Sequence, residues 1–315
     1  MQTMIPLIYH PIYSQLTLPA KHRYPINKYQ LLFQAVEQKL HATSIASPAK
    51  WLNTFQFFKP CPLSPETVSR HHCPDYIDAL LSGQLPAAKM RRIGFPWSEQ
   101  LIERTLTSAG GTWLTTQLAL DYGVAIHLSG GYHHAHYDFG TGFCLINDLA
   151  MSAKQALSMD HVDRVLIIDS DVHHGDGTAT MCADDERIIT VSFHCDKNFP
   201  ARKPHSDVDI ALAKETGDAE FLDHFYSVVE TAVNVYQPDL ILYDAGVDIH
   251  CDDELGYFNV STQGIYQRDY FILQLARQRK IPIACVIGGG YRDVHQDLVP
   301  IHMQLLEASA DVYWG

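Results

Sequence analysis

Short, unbroken apolar runs alternate along this chain with longer segments of helical periodicity. The runs are rich in Val, Ile and Leu, which is typical of strands that are covered on both faces. The predicted strands are Ile5–Tyr9, Val124–Leu128, Val165–Ile168, Ile188–Phe193, Leu240–Tyr243 and Ile283–Ile287. The predicted helices are Lys28–Leu40, Pro65–Leu81, Glu99–Tyr122, Leu145–Leu157, Asp218–Tyr236 and Gln263–Arg279. This alternation predicts an α/β fold in which a parallel sheet is flanked by helices and joined by right-handed crossovers.

The sequence shows no sign of division into separate domains. Its 315 residues fit one large α/β domain or two ordinary ones. Because there is no repeat, low-complexity tract or linker, one domain over residues 1–315 is predicted. The segment Gly83–Ser98, which contains proline and basic residues, is predicted to be a loop.

Composition narrows the classes of function. Apolar residues make up 46% of the chain, but no run approaches the roughly 20 residues that span a membrane. A net charge of −13 disfavours nucleic-acid binding, because phosphates require a basic surface. The seven cysteines are scattered, with no Cys-x-x-Cys pattern, which indicates reduced thiols. As the N-terminus has no signal-peptide pattern, the sequence predicts a cytoplasmic, bacterial protein that contacts neither nucleic acid nor membrane.

Two of the predicted strands run directly into possible metal ligands. Asp171 and His173 follow the strand Val165–Ile168, and Asp248 follows the strand Leu240–Tyr243. In open parallel sheets, ligands bind beyond the carboxyl ends of the strands. Asp171 and His173 point the same way if the chain is extended, so one ion can take both. With Asp248 they leave a position open, as in catalytic Zn²⁺ sites, although Fe²⁺ or Co²⁺ could compete. Either aspartate taken alone could instead be a helix N-cap.

Two adjacent histidines, His133 and His134, follow another predicted strand. Such histidines need partners that set their tautomer and pKa. Asp169 and Asp176 lie on either side of the proposed ligands, and each could hold one histidine. A general base beside a metal-activated water is what amide hydrolysis requires. The pattern therefore predicts two His–Asp dyads.

The strand Ile283–Ile287 is followed by three glycines and Tyr291. The glycines allow the backbone to bring the phenol over the site, where its hydroxyl could donate to a developing oxyanion. Alone, this pattern is more often an ordinary turn. Structural interpretations are favoured for the other histidines: His71 and His72 at a helix surface or boundary, and His127 as a hydrogen-bonded core residue.

Taken together, these segments resemble the histone deacetylase superfamily. The matching motifs, in the family's order, are Gly130–His134 with Gly142–Asp148, Asp169–Gly177, Asp244–Asp248 and Gly289–Tyr291. The chain is most similar to class IV deacetylases and their bacterial relatives. The segments that carry this closer similarity are Arg92–Trp97, Ala109–Thr112, Asn198–Pro200 and Asp252–Gly256.

The resemblance implies an arginase-like fold, which is a single three-layer α/β domain with a mostly parallel eight-stranded sheet. It also implies Zn²⁺ bound by Asp171, His173 and Asp248. The family binds K⁺ beside the zinc, partly through backbone carbonyls. The matching K⁺ positions are Asp169, Asp171, His173, Ser192 and Phe193.

The family's catalytic roles can be carried over to matching positions. His134, paired with Asp176, would be the general base and later the general acid, and His133, paired with Asp169, its electrostatic partner. Tyr291 would donate to the carbonyl oxygen. The tunnel for an acyl-lysine stem would be lined by Gly142, Phe143 and Phe199.

The sequence thus predicts a zinc-dependent amidohydrolase that removes an acetyl or longer acyl group from N-acylated lysine. Acetylpolyamines or other small amides are alternative substrates for the same chemistry. The run Asp252–Glu254 could attract a cationic amine or be a solvated loop, and Glu254 stands where relatives usually carry Arg. A non-catalytic acyl-lysine binder would lack a ligand, a dyad or the tyrosine, and none is missing. An arginase-type ureohydrolase would need a second set of metal ligands.

Overall fold

The computed structural model describes residues 4–41, 51 and 54–314. Its eight strands form one sheet in the order β2-β1-β3-β8-β7-β4-β5-β6. Each pair of neighbouring strands is parallel. The strands are β1 Ile5–Ile8, β2 Phe55–Phe58, β3 Val124–His127, β4 Val165–Asp169, β5 Ile188–Cys195, β6 Val208–Leu212, β7 Leu240–Asp244 and β8 Ile283–Val286.

Helices connect these strands and cover the sheet. They are α1 Lys28–His41, α2 Pro65–Ser69, α3 Pro74–Leu81, α4 Ala87–Ile93, α5 Glu99–Tyr122, α6 Asp148–Ala156, α7 Asp176–Cys182, α8 Asp218–Tyr236, α9 Thr262–Arg279 and α10 Val299–Trp314. Short 3₁₀ helices span Pro11–Ser14 and His295–Leu298. In the described part of the chain, no helix is long and apolar enough to cross a membrane. The cytoplasmic location and the extent of one domain over residues 1–315 stay predictions.

The two faces of the sheet contribute to two different hydrophobic clusters. In β4, Leu166 and Ile168 pack into one cluster, whereas Val165 and Ile167 pack into the other. Residues of α8, α9 and α10 belong to the first cluster, and residues of α6 and α7 belong to the second. Because successive side chains of a strand point to opposite faces, helices must cover both sides. The predicted sheet between helical layers is confirmed, with every pair parallel.

Each of the strands predicted from sequence is present, but two further strands were missed. These are β2 and β6, which lie at the two edges of the sheet. In β6, partly buried and exposed residues alternate, and β2 is exposed at Gln56. Edge strands are covered incompletely, so they lack the continuous apolar run by which the central strands are recognised.

One predicted helix and one predicted loop were wrong. The segment Pro65–Leu81 is not one helix but two, because α2 ends before a turn and α3 begins at Pro74. Proline disfavours helical backbone in the residue before it, which breaks the helix there. Gly83–Ser98 is not all loop, since it contains α4, which ends at Gly94 with φ of 95°. A glycine in this left-handed conformation commonly ends a helix.

The order of the strands brings the predicted motifs to one edge of the sheet. β7 and β4 are neighbours, with Asp244 opposite Asp169. β8 lies between β3 and β7, so the segments after all four strands are adjacent. All four strands are parallel, and their carboxyl ends therefore meet at the same edge, where ligands bind in such sheets.

Candidate metal and catalytic site

Asp171, His173 and Asp248 converge at this edge of the sheet and are buried. His173 Nδ1 lies 2.9 Å from Asp171 Oδ1 and 3.1 Å from Asp248 Oδ2. The other oxygen of each carboxylate accepts a backbone N–H, from Gly289 to Asp171 and from Val172 to Asp248. Each residue therefore offers one ligand atom to a common point, while backbone groups fix its orientation.

The electrostatics of these residues suit a cation. Burial opposes a charge on His173, but its hydrogen bonds with Asp171 and Asp248 raise its pKa to about 10. Burial, and next the charge of Asp171, raise the pKa of Asp248 to about 6. The two carboxylates thus hold a positive charge between them, and two carboxylates with one imidazole form a donor set that suits Zn²⁺. Each of the three predicted ligands fits a metal, while the identity of the ion stays a prediction.

Both predicted His–Asp pairs are formed beside this group. His133 Nδ1 lies 2.8 Å from Asp169 Oδ2, and His134 Nδ1 lies 2.6 Å from Asp176 Oδ1. The Nε2 atoms of the two histidines are 3.1 Å apart. Burial opposes a charge on His133, but Asp169 raises its pKa well above the usual value. Burial and the charge of His133 lower the pKa of His134. Opposite shifts of this kind separate the roles of two like groups.

Hydrogen bonds of Asn147 form a polar clamp that holds the segment His133–Ala135 against the neighbouring helices. Asn147 Nδ2 donates to the carbonyl oxygens of His133 and Ala135, at 3.3 and 3.0 Å. Its Oδ1 accepts from the Ala150 N–H at 2.9 Å and so caps α6. Gly177 lies so close that an added Cβ would collide with the Ala135 carbonyl. This explains why the sequence carries Asn147 and Gly177 within otherwise separate motifs.

Tyr291 is positioned by a turn of unusual backbone conformation. Gly290 has φ of 143°, a region that side chains rarely adopt. The Tyr291 N–H donates to Asp253 Oδ2 at 2.6 Å. Its ring centroid lies 6.2 Å from that of His173 and 6.1 Å from that of Phe143. Burial, and next the charge of Asp171, raise the Tyr291 pKa well above 10, so the phenol keeps its proton at neutral pH.

A cavity of about 420 Å³ opens from these side chains to the surface. Gly142, Phe143 and Phe199, which the resemblance places along a substrate tunnel, all line it, while their contact with a substrate stays a prediction. Phe199 is 42% exposed, and its ring centroid lies 4.8 Å from that of His134. The mouth is also lined by Arg23, Arg92, Asn198, Glu254, Leu255 and Tyr257. The sequence singled out Glu254, whereas Arg23 and Tyr257 were missed because they lie outside the motifs.

The acidic run at the mouth is largely engaged within the protein. Asp252 lies 3.5 Å from the Arg292 guanidinium. Asp253 accepts backbone N–H groups, and burial together with the charge of Asp248 raises its pKa to about 8. Glu254 Oε1 accepts from the Asp293 N–H at 2.7 Å. These contacts favour a structural role for the run over attraction of a cationic amine.

Some K⁺ positions from the resemblance are neighbours in the sheet. Ser192 lies opposite Asp169 in the register of β5 and β4. Phe193 is fully buried and packs among the phenylalanines of the core, so only its backbone is available to an ion. The K⁺ site stays a prediction.

Several buried polar residues escaped the sequence interpretation. Lys28 Nζ donates to the Gly288 carbonyl at 2.9 Å, and burial lowers its pKa to about 8. Asp244 is fully buried, and burial and the charge of Asp169 raise its pKa well above 3.8. Asp244 lies at the end of a strand and begins the motif Asp244–Asp248, so its place in the sequence did indicate a position at the site. Lys28 begins a helix and carries no local signal of its role.

The histidines given structural interpretations are indeed bound within the protein. His127 is fully buried, with Tyr13 Oη at 2.8 Å and Thr112 Oγ1 at 3.0 Å. His72 lies at a helix boundary as predicted, but it is not on the surface. Its Nδ1 donates to the His136 carbonyl and its Nε2 accepts from the Asn147 N–H. His72 therefore supports the clamp around His133 and His134.

The sequence of this chain matches a known protein family and several known proteins. The family model for the histone deacetylase domain matches residues 22–304. An uncharacterized protein of Picosynechococcus sp. is 39% identical over 98% of this chain and 99% of its own length. Acetoin utilization protein AcuC of Staphylococcus aureus (strain COL) is 31% identical over 82% of this chain and 72% of its own. Histone deacetylase 2 of Arabidopsis thaliana is 34% identical, over 58% of this chain and 48% of its own.

The fold also has a counterpart among solved structures. The crystal structure of an HDAC homolog complexed with SAHA superposes with a TM-score of 0.80 at 23% identity. The match covers 97% of this chain and 84% of that chain, and it supports the arginase/deacetylase fold. Since the family model extends over most of the sequence and includes every motif described above, this chain belongs to the histone deacetylase family.

Proposed function

We propose that this protein is a zinc-dependent deacylase that removes an acyl group from the side chain of N-acylated lysine. Membership of the histone deacetylase family supports the deacetylase chemistry. The observation that carries the proposal is the joint geometry of the site. Two complete His–Asp pairs and three convergent metal ligands lie together, and His134, His173 and Tyr291 of this group line a cavity that opens to the surface.

The roles of the histidines follow from their hydrogen bonds. His134 donates Nδ1–H to Asp176, which leaves Nε2, 3.1 Å from His133 Nε2, as the unprotonated nitrogen that would accept a proton from the attacking water. The same atom then returns the proton to the leaving amine. His133 carries positive charge beside Asp169, which stabilises negative charge as it develops on the acyl group.

Tyr291 and the metal complete the reaction site. The Tyr291 phenol is protonated at neutral pH, so it can donate to the acyl oxygen as negative charge builds there. A bound Zn²⁺, held by Asp171, His173 and Asp248, would polarise the acyl carbonyl and lower the pKa of a water molecule. Fe²⁺ or Co²⁺ would suit the same ligands.

Features of the mouth favour an acylated peptide over a free polyamine. Phe143 and Phe199 offer apolar walls to the methylene stem of lysine. Two guanidinium groups, those of Arg23 and Arg92, lie at the opening. Of the nearby acidic run, Asp252 lies 3.5 Å from Arg292 and burial raises the pKa of Asp253 to about 8, so Glu254 is the carboxylate of the run that faces these two guanidinium groups in the cavity.

The proposal is tested by measuring amine release from three substrates. These are an acetyl-lysine peptide, a myristoyl-lysine peptide and acetylputrescine, each assayed with the zinc-loaded protein. The Asp171→Ala variant removes a metal ligand, and Asp223→Ala removes an exposed carboxylate of α8 as its matched control. A chelator provides the second control.

We expect turnover of a lysine peptide that is lost with Asp171→Ala and with chelator but kept in Asp223→Ala. Turnover of acetylputrescine alone would replace lysine by a small amine as the substrate. No turnover with zinc bound stoichiometrically would contradict the proposal and leave the non-catalytic acyl-lysine binder, which peptide affinity would test. Urea release with manganese would instead point to ureohydrolase chemistry.

A further inference from the structure

The Asp176 carboxylate is shared between two histidines. Its Oδ1 lies 2.6 Å from His134 Nδ1, and its Oδ2 lies 3.1 Å from His136 Nε2. Burial opposes charge on Asp176, but its hydrogen bonds with His134 and His136 lower its pKa below the usual value. An ionised carboxylate only accepts hydrogen bonds, so both of these ring nitrogens carry protons. His136 is therefore a third imidazole attached to the predicted general-base dyad.

The far side of the His136 ring accommodates two protonation states. His136 Nδ1 lies 2.8 Å from Thr180 Oγ1. The same hydroxyl lies 3.0 Å from the carbonyl oxygens of Asp176 and Gly177. If the hydroxyl donates to His136, the imidazole is neutral. If it donates to a helix carbonyl, its oxygen accepts from a protonated Nδ1, and His136 is an imidazolium. Neither state leaves a ring nitrogen without a partner.

The surroundings of His136 connect it to solvent and to the mouth. Its side chain is 14% exposed, in contrast to 5% for His134. The ring stacks on Phe139 at 4.2 Å between centroids, and Arg92, which lines the mouth, places its guanidinium 4.0 Å from the Phe139 centroid. The charged or titratable groups that face it are Asp176 from α7, His134 beyond that carboxylate, Arg92 from α4, and His72, which donates to its carbonyl.

We propose that His136 is a positioning residue that holds Asp176 for His134 and takes up protons ahead of His134. The inference rests on the proposed function, in which His134 is the general base. A proton on His136 compensates the negative charge of Asp176 from outside the site. His134 then binds a proton less readily and stays available as a base at lower pH.

The test is the pH profile of kcat/KM on the substrate that the zinc-loaded protein turns over best. His136→Gln keeps a neutral N–H donor for Asp176 but cannot take up a proton. We expect its acid limb to move to higher pH by about one unit, with the plateau within a few-fold of wild type. His224→Gln, on the exposed face of α8, is the matched control and should leave the profile unchanged. Coincident acid limbs for wild type and His136→Gln would overturn the proposal.

A second measurement does not depend on turnover. Imidazole ¹⁵N spectra of the zinc-loaded protein, titrated with acid, report the protonation of each ring nitrogen. We expect His136 to gain its second proton first, and the His134 signals to shift in the same step. A neutral His136 when His134 is already protonated would overturn the proposal. If no substrate is turned over, the proposed function fails, while these spectra still decide the coupling between the two histidines.

Discussion

At the scale of single residues, the same side-chain type acquires different properties from its contacts. His133 and His134 are adjacent in sequence, yet the pKa of the first is raised and that of the second is lowered. Both have a carboxylate partner, so the partner alone does not explain the difference. His133 also lies near Asp171, whereas His134 lies beside the charge that His133 carries. Two histidines that are adjacent in the chain therefore differ in how readily they bind a proton.

The role of Tyr291 can be tested by removing one atom. Tyr291→Phe keeps the ring that packs near Phe143 but loses the hydroxyl donor. We expect kcat to fall by about 10²–10³, as for other oxyanion donors, with zinc content unchanged. Tyr257→Phe, at an exposed tyrosine of the same cavity, should keep most activity. Near-full activity of Tyr291→Phe would remove Tyr291 from the proposed mechanism.

At the scale of secondary-structure elements, the site is built from segments that follow strands, and glycines allow them to approach. Gly131, after β3, has φ of 84°, and an added Cβ would lie 2.6 Å from Asp244 Oδ2. The segment after β3, which leads into His133 and His134, thus reaches the end of β7 with no space for a side chain.

Two glycines with the same φ allow the effect of backbone strain to be measured apart from the effect of this close contact. Gly123, which ends α5, has the same φ of 84°, but nothing lies within 4 Å of an added Cβ. We expect Gly123→Ala to lower the free energy of unfolding by about 1 kcal/mol, with activity retained. Gly131→Ala should cost more stability and reduce turnover by at least tenfold. Equal behaviour of the two variants in denaturant unfolding and turnover assays would contradict the close contact.

Strand β3 also carries a histidine that makes stability depend on pH. Burial, with the charge of Arg104 adding to it, lowers the pKa of His127 to about 3, against 6.5 as its usual value. Between these pH values the unfolded chain binds a proton that the folded chain does not. Stability is therefore lost as pH falls below about 6.5, by about 1.4 kcal/mol per unit from this residue.

Denaturant unfolding at several pH values between 5 and 7 measures this effect. We expect the free energy of unfolding to fall less steeply with decreasing pH in His127→Gln than in wild type. The two slopes should differ by up to one bound proton, which is about 1.4 kcal/mol per pH unit. The test is this slope and not the stability at one pH, because the substitution also changes the hydrogen bonds with Tyr13 and Thr112. His224→Gln should keep the wild-type slope, because its side chain is exposed. Identical slopes for wild type and His127→Gln would show that His127 does not set the acid sensitivity.

At the scale of the whole molecule, the charged groups at the mouth of the cavity are not representative of the net charge of the chain. The chain carries a net charge of −13, yet Arg23 and Arg92 stand at the opening of the cavity. The acidic run beside them is engaged by Arg292 and by backbone N–H groups. An approaching substrate therefore meets two guanidinium groups and the Glu254 carboxylate at the mouth, a more positive balance than that of the whole chain.

This arrangement predicts a preference among peptides. An acyl-lysine peptide with acidic neighbours should have a lower KM than one with basic neighbours. Arg23→Gln should raise KM for the acidic peptide by about 2–5-fold, as expected for an exposed ion pair, and leave kcat unchanged. Because such pairs are screened, the difference should shrink at high salt. A preference for basic neighbours in wild type would contradict the role of the mouth arginines.

Much of this protein could be read from local patterns. The central strands, the long helices, the candidate metal ligands and the two His–Asp pairs all follow from apolar periodicity and from polar residues placed at strand ends. These signals are short-range, because the alternation of a buried strand and the spacing of Asp171 and His173 do not depend on distant residues. The two edge strands lack such a signal, since they are only half covered.

Other features arise only when distant segments are brought together. The position of β8 between β3 and β7, the contacts of Asp252–Glu254 with the segment around Arg292 and the contact of His136 with Asp176 join residues far apart in the chain. Local spacing cannot specify such pairs, because each depends on the order and register of strands that lie elsewhere. The amino-acid pattern was therefore sufficient to identify the family and the fold, whereas packing determined how charged and titratable groups are arranged around the candidate site.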